Sequence, residues 1–420
     1  MATTTRPSTI RQQGMSRFIW PISMLLVVVL LFLFYNNIEP NLQTNVANGI
    51  NDWLPVATFN ESMVWIIMAL GLNVVVGYAG LLDLGYVAFW AIGGYTAGWL
   101  MAQPWANNWT FHLLSPTYLS KAPGIHVTFW LVLIVAGVVC AIAGIIIGAP
   151  TLRLRGDYLA LVTLGFGEMI GQVARNGSIA GVNITNGDTG ISSIDPIGTG
   201  FFGNFQGVPK VLTAFDDTYK LIVLAVLVAI CMFVSLRIRD GRLGRAWLAI
   251  REDELAASMM GVNLVKTKLS AYAVGAFFGG LGGVGFASAV TGNVASSRFL
   301  FSVSITVLLM VVLGGMGNVW GVTIGAVILS WINSTGLSQF GVQFDEWTGL
   351  HVADKFQQNQ FLLFGVVLVL MMLFRPGGLV PEKRTQKLMR EAPRTEAESL
   401  GADITEAEVE DEFAHGEAAR

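Results

Sequence analysis

The stretch that decides how this chain is interpreted runs from Arg239 to Lys268 and reads RDGRLGRAWLAIREDELAASMMGVNLVKTK. Long apolar segments flank this polar stretch on both sides, so it is expected to form a loop at a membrane surface. It also carries a short helical pattern, because Asp253 can cap a helix N-terminus and Gly261 can end that helix. The loop is therefore predicted to contain a helix of about two to three turns.

One side of this predicted helix is apolar. Leu255, Met259 and Met260 fall together at helical spacing, and Ala256 and Ala257 leave a low surface beside them. A helix this short is marginal alone in water. Burying one Leu and two Met stabilises a docked helix by roughly 5–8 kcal/mol before the cost of association. The pattern leaves two surfaces open for docking, the membrane domain of the same chain or another protein.

The composition excludes a soluble globular domain. The chain has 420 residues, of which 53% are hydrophobic and 13% charged, whereas soluble domains carry about 25% charged residues. The predicted fold is an all-α polytopic membrane protein. Cys140 and Cys231 both lie inside apolar segments and are predicted to pack in the core rather than to form a disulfide or a metal pair. The histidines lack metal-ligand spacing, so no metal site is predicted.

Apolar segments near the length of about 20 residues that a bilayer requires predict the membrane spans. They are residues 18–35, 62–78, 81–101, 128–148, 157–174, 219–236, 268–290, 301–333 and 360–375. Glycines at 314, 315 and 317 break the long block 301–333 into two short helices or a re-entrant pair. Counting that block as two crossings predicts about ten spans, with a range of about 8–10. The first run could also be a signal peptide, but its length favours a retained helix.

Basic residues predict the orientation, because cytoplasmic loops are enriched in Lys and Arg. Arg6, Arg11 and Arg17 place the cytoplasmic segment 1–17 inside, and residues 36–61 contain no Lys or Arg. Arg153, Arg155 and the basic loop 237–268 are inside as well. Both termini are then cytoplasmic. The predicted permease domain is 18–380, with outer loops 102–127 and 175–218 and an acidic cytoplasmic tail 381–420.

No sequence pattern supports an enzyme. The chain contains neither the phosphate-binding G-x-x-x-x-G-K-[ST] nor the G-x-S-x-G nucleophile motif. We therefore assign no catalytic residues, and we expect any ATP hydrolysis to take place on separate subunits.

Two acids inside apolar segments, Asp83 and Glu168, are candidates for a polar pathway. A charge at the centre of a membrane helix costs about 2.5–3.5 kcal/mol on insertion scales, which leaves such residues with a role in transport or a position near a helix end and water. Both lie among glycines, as in the broken helices of transporters.

Five segments, in order, resemble LivM-type permease subunits of branched-chain amino acid ABC importers, and the likeness runs from about residue 63 to residue 379. They are GLNVVVGYAGLLDLGYVAFWAIGGYTA (71–97), LRLRGDYLALVTLGFGE (152–168), GRAWLAIREDELAASMMGV (244–262), SVSITVLLMVVLGGMGNVWGVTIGA (302–326) and RPGGL (375–379). Glu254, Ala256, Ala257 and Gly261 fill the E-x-A-A-x-x-x-G positions of the EAA loop of import permeases. In that family this helix docks on the cytoplasmic ATPase.

The resemblance implies the partners and the site residues. The partners are a second permease subunit (a homologue or an identical copy), two ATP-binding subunits, an extracytoplasmic amino-acid-binding protein and the lipid bilayer of the bacterial inner membrane, with no nucleic acid. ATP and Mg would be bound by the partner ATPases and no cofactor by this chain. The predicted ATPase-coupling residues are Arg251, Glu254, Leu255, Ala256, Ala257, Met259 and Gly261. The predicted substrate-pathway residues are Asn73, Gly80, Asp83, Tyr86, Glu168, Asn186, Gly187, Gly190, Gly314 and Gly315.

Two departures from the family pattern leave the transported solute open. LivM-like sequences carry Gln-Leu-Ser-Leu-Gly-His where this chain has Leu81 to Tyr86, and Gly-Pro-Asn-Gly where it has Gly187 to Gly190. Leucine, isoleucine and valine are the expected substrates, and urea, short amides or other amino acids are the alternative. An ion-coupled secondary transporter that uses Asp83 or Glu168 is a further alternative. It would have no need of a docking helix.

Overall fold

The computed structural model describes residues 28–31, 33–35, 44–102, 110–113, 124–151, 157–179, 182–197, 217–349, 358–375 and 377–381. Helices dominate these residues. We number them α1 Thr44–Trp53, α2 Val56–Leu72, α3 Val87–Leu100, α4 Phe129–Thr151, α5 Asp157–Asn176, α6 Asp217–Asp240, α7 Arg242–Glu252, α8 Glu254–Met259, α9 Leu264–Gly285, α10 Phe301–Gly314, α11 Val319–Trp331, α12 Leu337–Thr348 and α13 Gln360–Phe374. The wider turns of a π-helix extend three of them, at Asn73–Tyr78, Phe286–Thr291 and Ile332–Gly336.

Within the described part of the chain, five helical stretches are long and apolar enough to cross a membrane. They are Asn48–Tyr78, Phe129–Thr151, Asp217–Asp240, Leu264–Thr291 and Val319–Thr348. Helices α10 and α13 are apolar but shorter. The predicted class, an all-α multi-pass membrane protein, is confirmed. The number of crossings and the cytoplasmic placement of both termini stay predictions.

Helix α2 forms the centre of the molecule. Its sequence is apolar around the whole circumference, which is typical of a helix buried on every side, and Ile66, Ile67 and Met68 are fully buried. Helices α6, α9, α10 and α11 surround it. Helix α9 also packs closely on α3 and α4. A Cβ at Gly93 would lie 2.5 Å from the Gly280 carbonyl oxygen, so glycine is required for this backbone approach.

The predicted span 81–101 is wrong in its first part. The helix begins at Val87, and residues 79–86 run without helical structure. Gly80 has a φ of +68°, a left-handed conformation that L-residues with a side chain disfavour. The apolar composition of this stretch predicted a continuous helix, because hydropathy does not register a backbone turn between apolar residues.

The predicted break in the block 301–333 is confirmed. Helices α10 and α11 form a hairpin, and Gly315 and Gly317 at the turn have φ values of +115° and +86°. Most of the first predicted span lies outside the described residues, as do Arg153, Arg155, the N-terminal segment 1–17 and nearly all of the tail 381–420.

Short strands occur in the two segments predicted to be outer loops. Strand β1 (Met101–Ala102) pairs antiparallel with β3 (Gly124–Val127), and β2 (Thr110–Leu113) pairs parallel with β3. The second segment contributes β4 (Ser178–Ile179), β5 (Val182–Asn183) and β6 (Ile191–Ser192), and β6 pairs with β7 (Asn293–Val294) beyond α9.

A buried hydrogen bond between a histidine and an aspartate joins the two segments that were predicted to be outer loops. His126 Nδ1 lies 2.8 Å from Asp195 Oδ2, and both side chains are buried. The Ser288 hydroxyl, in the π-helical extension of α9, donates to the Asp195 carbonyl oxygen at 2.7 Å. Neither histidine spacing nor hydropathy predicted this pair, because its members are 69 residues apart in the chain.

Candidate functional site: a loop helix at the end of the central helix

The polar loop folds into two short helices, α7 and α8, joined at Asp253. Asp253 Oδ1 accepts hydrogen bonds from the backbone N–H groups of Leu255 at 2.8 Å and Ala256 at 3.0 Å, which confirms it as the N-cap of α8. Gly261 follows the helix with a φ of +82°. Helix α8 is shorter than predicted, six residues. The preceding helix α7 was not predicted as a separate element.

The apolar side of α8 faces away from the rest of the chain. Leu255 is 67% exposed, Met259 84% and Met260 85%, whereas Ala257 is 5% exposed and packs inward. Ala256 is also exposed. The chain's own membrane domain therefore does not cover this side. We call Leu255, Met259 and Met260 the loop patch.

Polar contacts anchor both sides of the loop to the helix bundle. The buried Trp247 of α7 donates its indole N–H to the Thr267 carbonyl oxygen and the Ser270 hydroxyl, each at 3.0 Å. Lys268 Nζ, which is buried at the start of α9, lies 2.6 Å from Glu254 Oε1. The family-motif glutamate thus pairs with a lysine of its own chain.

Arg251, the last basic residue of α7, extends toward the central helix. Its guanidinium Nη1 donates a hydrogen bond to the carbonyl oxygen of Gly77, in the π-helical extension of α2. Its aliphatic part crosses the bare Cα of Gly80, where a Cβ would lie 2.9 Å from Arg251 Cγ. Gly80, predicted as a pathway residue, therefore lies against the loop.

The same end of α2 contacts the break between α10 and α11. Asn73 Oδ1 accepts a hydrogen bond from the Gly317 N–H at 2.8 Å, and both groups are buried. Glycines 314 and 315 pack closely at this turn: a Cβ at Gly314 would lie 2.3 Å from the Gly321 carbonyl oxygen, and one at Gly315 would lie 2.7 Å from that of Val380.

Asp83 and Tyr86 lie in the non-helical stretch between α2 and α3, and both are buried. The Tyr86 hydroxyl donates to the Gly275 carbonyl oxygen at 2.9 Å, which ties it to α9. Asp83 Oδ1 accepts from the Gly85 N–H at 2.9 Å, and Oδ2 has no hydrogen-bond partner among the described residues. A cavity of about 10 Å³ beside Asp83 is also lined by Thr163 and Tyr272, enough space for a single water.

The remaining pathway candidates lie elsewhere. Glu168 is exposed on α5. Asn186, Gly187 and Gly190 form a turn between β5 and β6, in which Asn186 and Gly187 have φ values near +60° and the Asn186 amide donates to the Gly190 carbonyl oxygen. The ten predicted pathway residues therefore lie on several separate elements, and Asp83 is the member that lines the described cavity. The predicted coupling residues, in contrast, all lie between residues 251 and 261, on α7, α8 and the turn after α8.

The described residues form a bundle of apolar helices with an exposed loop helix between α6 and α9, and the chain's similarity to known proteins gives its class. The chain belongs to the family described as branched-chain amino acid transport system / permease component, whose model matches residues 54–374. Proteins of this family are transport subunits and not enzymes.

Two relatives illustrate the similarity. The high-affinity branched-chain amino acid transport system permease protein LivM of Salmonella typhimurium is 39% identical over 343 residues, which cover 77% of this chain and 69% of the relative. LivM of Escherichia coli is 38% identical over the same coverage. No solved structure matches the chain.

Proposed function

We propose that this chain is a pathway-forming subunit of an ATP-driven, binding-protein-dependent importer of leucine, isoleucine and valine in a bacterial inner membrane. It would pair with a second permease subunit, which is a homologue or an identical copy, and with two ATP-binding subunits that bind ATP and Mg. An extracytoplasmic binding protein would deliver the amino acid. The names of both LivM relatives, which are branched-chain amino acid transport permeases, support this substrate class.

The observation that carries the proposal is the loop patch. Three large apolar side chains are exposed on a helix that its own N-cap and a salt bridge to α9 already hold in place. A patch of this kind on an otherwise polar loop marks an interaction surface. Because the helix is formed before docking, little conformational entropy is lost when a partner covers it. The family resemblance indicates the partner: the loop patch would dock in a groove on an ATP-binding subunit.

Glu168 supports a second permease subunit beside α5. This carboxylate is exposed near the middle of α5, among exposed Leu161 and Met169. Helix α5 is not among the five stretches apolar enough to cross a membrane, and we propose that it crosses beside a partner, since contact of a mid-helix carboxylate with lipid would cost about 2.5–3.5 kcal/mol. A water-filled pathway between two permease subunits removes that cost and allows the apolar neighbours to pack on the partner. Glu168 is therefore our preferred pathway residue.

The experiment is co-purification of the ATP-binding subunits with this chain. The double variant Leu255→Ser, Met259→Ser is expected to insert into the membrane normally, because neither side chain contacts the core, and to lose the ATP-binding subunits and transport. The control is Leu243→Ser on α7, an exposed leucine outside the loop patch, which is expected to retain them. Wild-type recovery of the ATP-binding subunits with the double variant would contradict the proposal.

A further inference from the structure

The carboxyl end of the central helix carries a cation supplied by the loop. The last carbonyl groups of a helix lack partners within it and form the negative end of its dipole. Here Val74 O and Val75 O accept from the N–H groups of Ala79 and Leu81. Gly77 O instead accepts from the Arg251 guanidinium, 174 residues further along the chain.

The contact between Arg251 and the end of the central helix is closely packed, in addition to the hydrogen bond from its charged guanidinium. Gly80 adopts a φ of +68° and has no side chain, and the Cβ and Cγ of Arg251 lie across it, within 3.4 Å and 2.9 Å of the place where a Cβ would be. Arg251 is the penultimate residue of α7, which ends at Glu252, and the next residue, Asp253, caps α8. Arg251 and the loop patch are therefore parts of one short helical unit, with no flexible linker between them.

We propose that Arg251 is the residue through which the loop helix moves the central helix. This inference rests on the proposed function, since it assumes that an ATP-binding subunit displaces α8. A displacement of α7 and α8 pulls on Gly77 directly. Asn73 lies one helical turn before Gly77, and its side-chain oxygen accepts a hydrogen bond from the Gly317 N–H at the break between α10 and α11. A movement of this end of α2 would therefore also displace that break. One movement of the loop thus reaches both the central helix α2 and the break between α10 and α11.

This role differs from docking. A docking residue presents its side chain to the partner, as Leu255 and Met259 do, whereas the Arg251 side chain is directed into its own chain. Arg251 is therefore a positioning residue. Its loss is expected to leave the ATP-binding subunits attached and their hydrolysis running, and to break the link between hydrolysis and transport.

The test compares three variants in the complete transporter reconstituted in lipid vesicles: Arg251→Gln, Arg251→Lys and Arg245→Gln. Arg245 is the matched control, because it is an exposed arginine of α7 that donates to the Asp240 carbonyl oxygen within the loop itself. Three quantities are measured for each variant: recovery of the ATP-binding subunits, ATP hydrolysis, and amino acids transported per ATP hydrolysed.

With Arg251→Gln, we expect normal recovery of the ATP-binding subunits, ATP hydrolysis that continues, and transport per ATP reduced by about 5- to 150-fold, the range that energetic coupling between sites usually spans. Arg251→Lys keeps the charge and one donor, so it is expected to restore part of the coupling. Arg245→Gln is expected to match the wild type in all three measurements.

Wild-type transport per ATP with Arg251→Gln would overturn the inference. Loss of the ATP-binding subunits with this variant, as in the loop-patch variant, would also overturn it, because Arg251 would then be a docking residue. Failure of the proposed function would give a different result: the wild-type chain itself would not co-purify with ATP-binding subunits.

Discussion

At the scale of single residues, glycines decide where long side chains can lie. Gly80 is the sharpest case, because its left-handed backbone and bare Cα together leave room for the Arg251 side chain. A left-handed conformation costs an L-residue with a side chain roughly 1–2 kcal/mol. Any side chain at position 80 would therefore strain the backbone and also clash with Arg251.

We expect Gly80→Ala to lower the thermal unfolding midpoint in detergent and to displace Arg251 from Gly77, since the new Cβ would lie 2.9 Å from Arg251 Cγ. Destabilisation of about 1–2 kcal/mol follows from backbone strain. Transport per ATP should fall as it does for Arg251→Gln.

The control is Gly165→Ala on helix α5, where a Cβ would meet nothing within 4 Å. Alanine favours a helix over glycine by about 1 kcal/mol, so this variant should be as stable as the wild type or more so. Equal midpoints and equal transport for Gly80→Ala and the wild type would show that Arg251 does not depend on the bare Cα of Gly80.

For single residues, the sequence predicted helix caps better than it predicted which groups a side chain contacts. Asp253 and Gly261 were interpreted correctly, because a cap is a local pattern within four or five residues. Arg251 was predicted only as one of the ATPase-coupling residues, and its contact with Gly77 depends on a fold that brings together residues 174 positions apart. Its role in coupling stays a prediction.

At the scale of elements, α8 depends on its cap. The helix has six residues and exposes most of one side, so few packing contacts maintain it. Its stability comes from the Asp253 cap, the Glu254–Lys268 ion pair and the burial of Ala257.

Asp253→Ala is expected to open α8 by removing the acceptor for two backbone N–H groups, at a cost of about 0.5–2 kcal/mol. Hydrogen exchange at the Leu255 and Ala256 amides should then accelerate by about 2- to 30-fold. Asp253→Asn retains an acceptor oxygen and should keep most of the protection. Glu252→Ala, at the exposed neighbouring position, should leave exchange unchanged, and equal exchange rates for Asp253→Ala and the wild type would contradict the cap's role.

Apolar length and glycine clusters predicted most of the long helices and the break at residues 314–317. The same reasoning missed α7, whose polar and apolar residues were interpreted as loop, and the non-helical residues 79–86. In both cases tertiary contacts decide the local structure. Trp247 is buried against α9, and Leu84 N–H bonds to the Thr163 hydroxyl at 3.1 Å across the bundle. Neither contact can be predicted from the hydropathy of the sequence.

At the scale of the whole molecule, the loop contacts the bundle where the central helix and the α10–α11 hairpin meet. A partner that binds the loop patch would therefore act on the central helix α2 and on the α10–α11 hairpin. The predicted pathway residues lie on several separate elements. This arrangement fits a subunit that guides a solute along a passage shared with a second subunit.

The most direct test of the central claim is uptake of labelled leucine, isoleucine or valine into lipid vesicles that contain the purified permease subunits and binding protein, with and without the ATP-binding subunits. We predict uptake only when the ATP-binding subunits and ATP are both present, and its loss with the double variant Leu255→Ser, Met259→Ser. Sustained concentrative uptake without the ATP-binding subunits, driven by a proton or sodium gradient, would contradict the account.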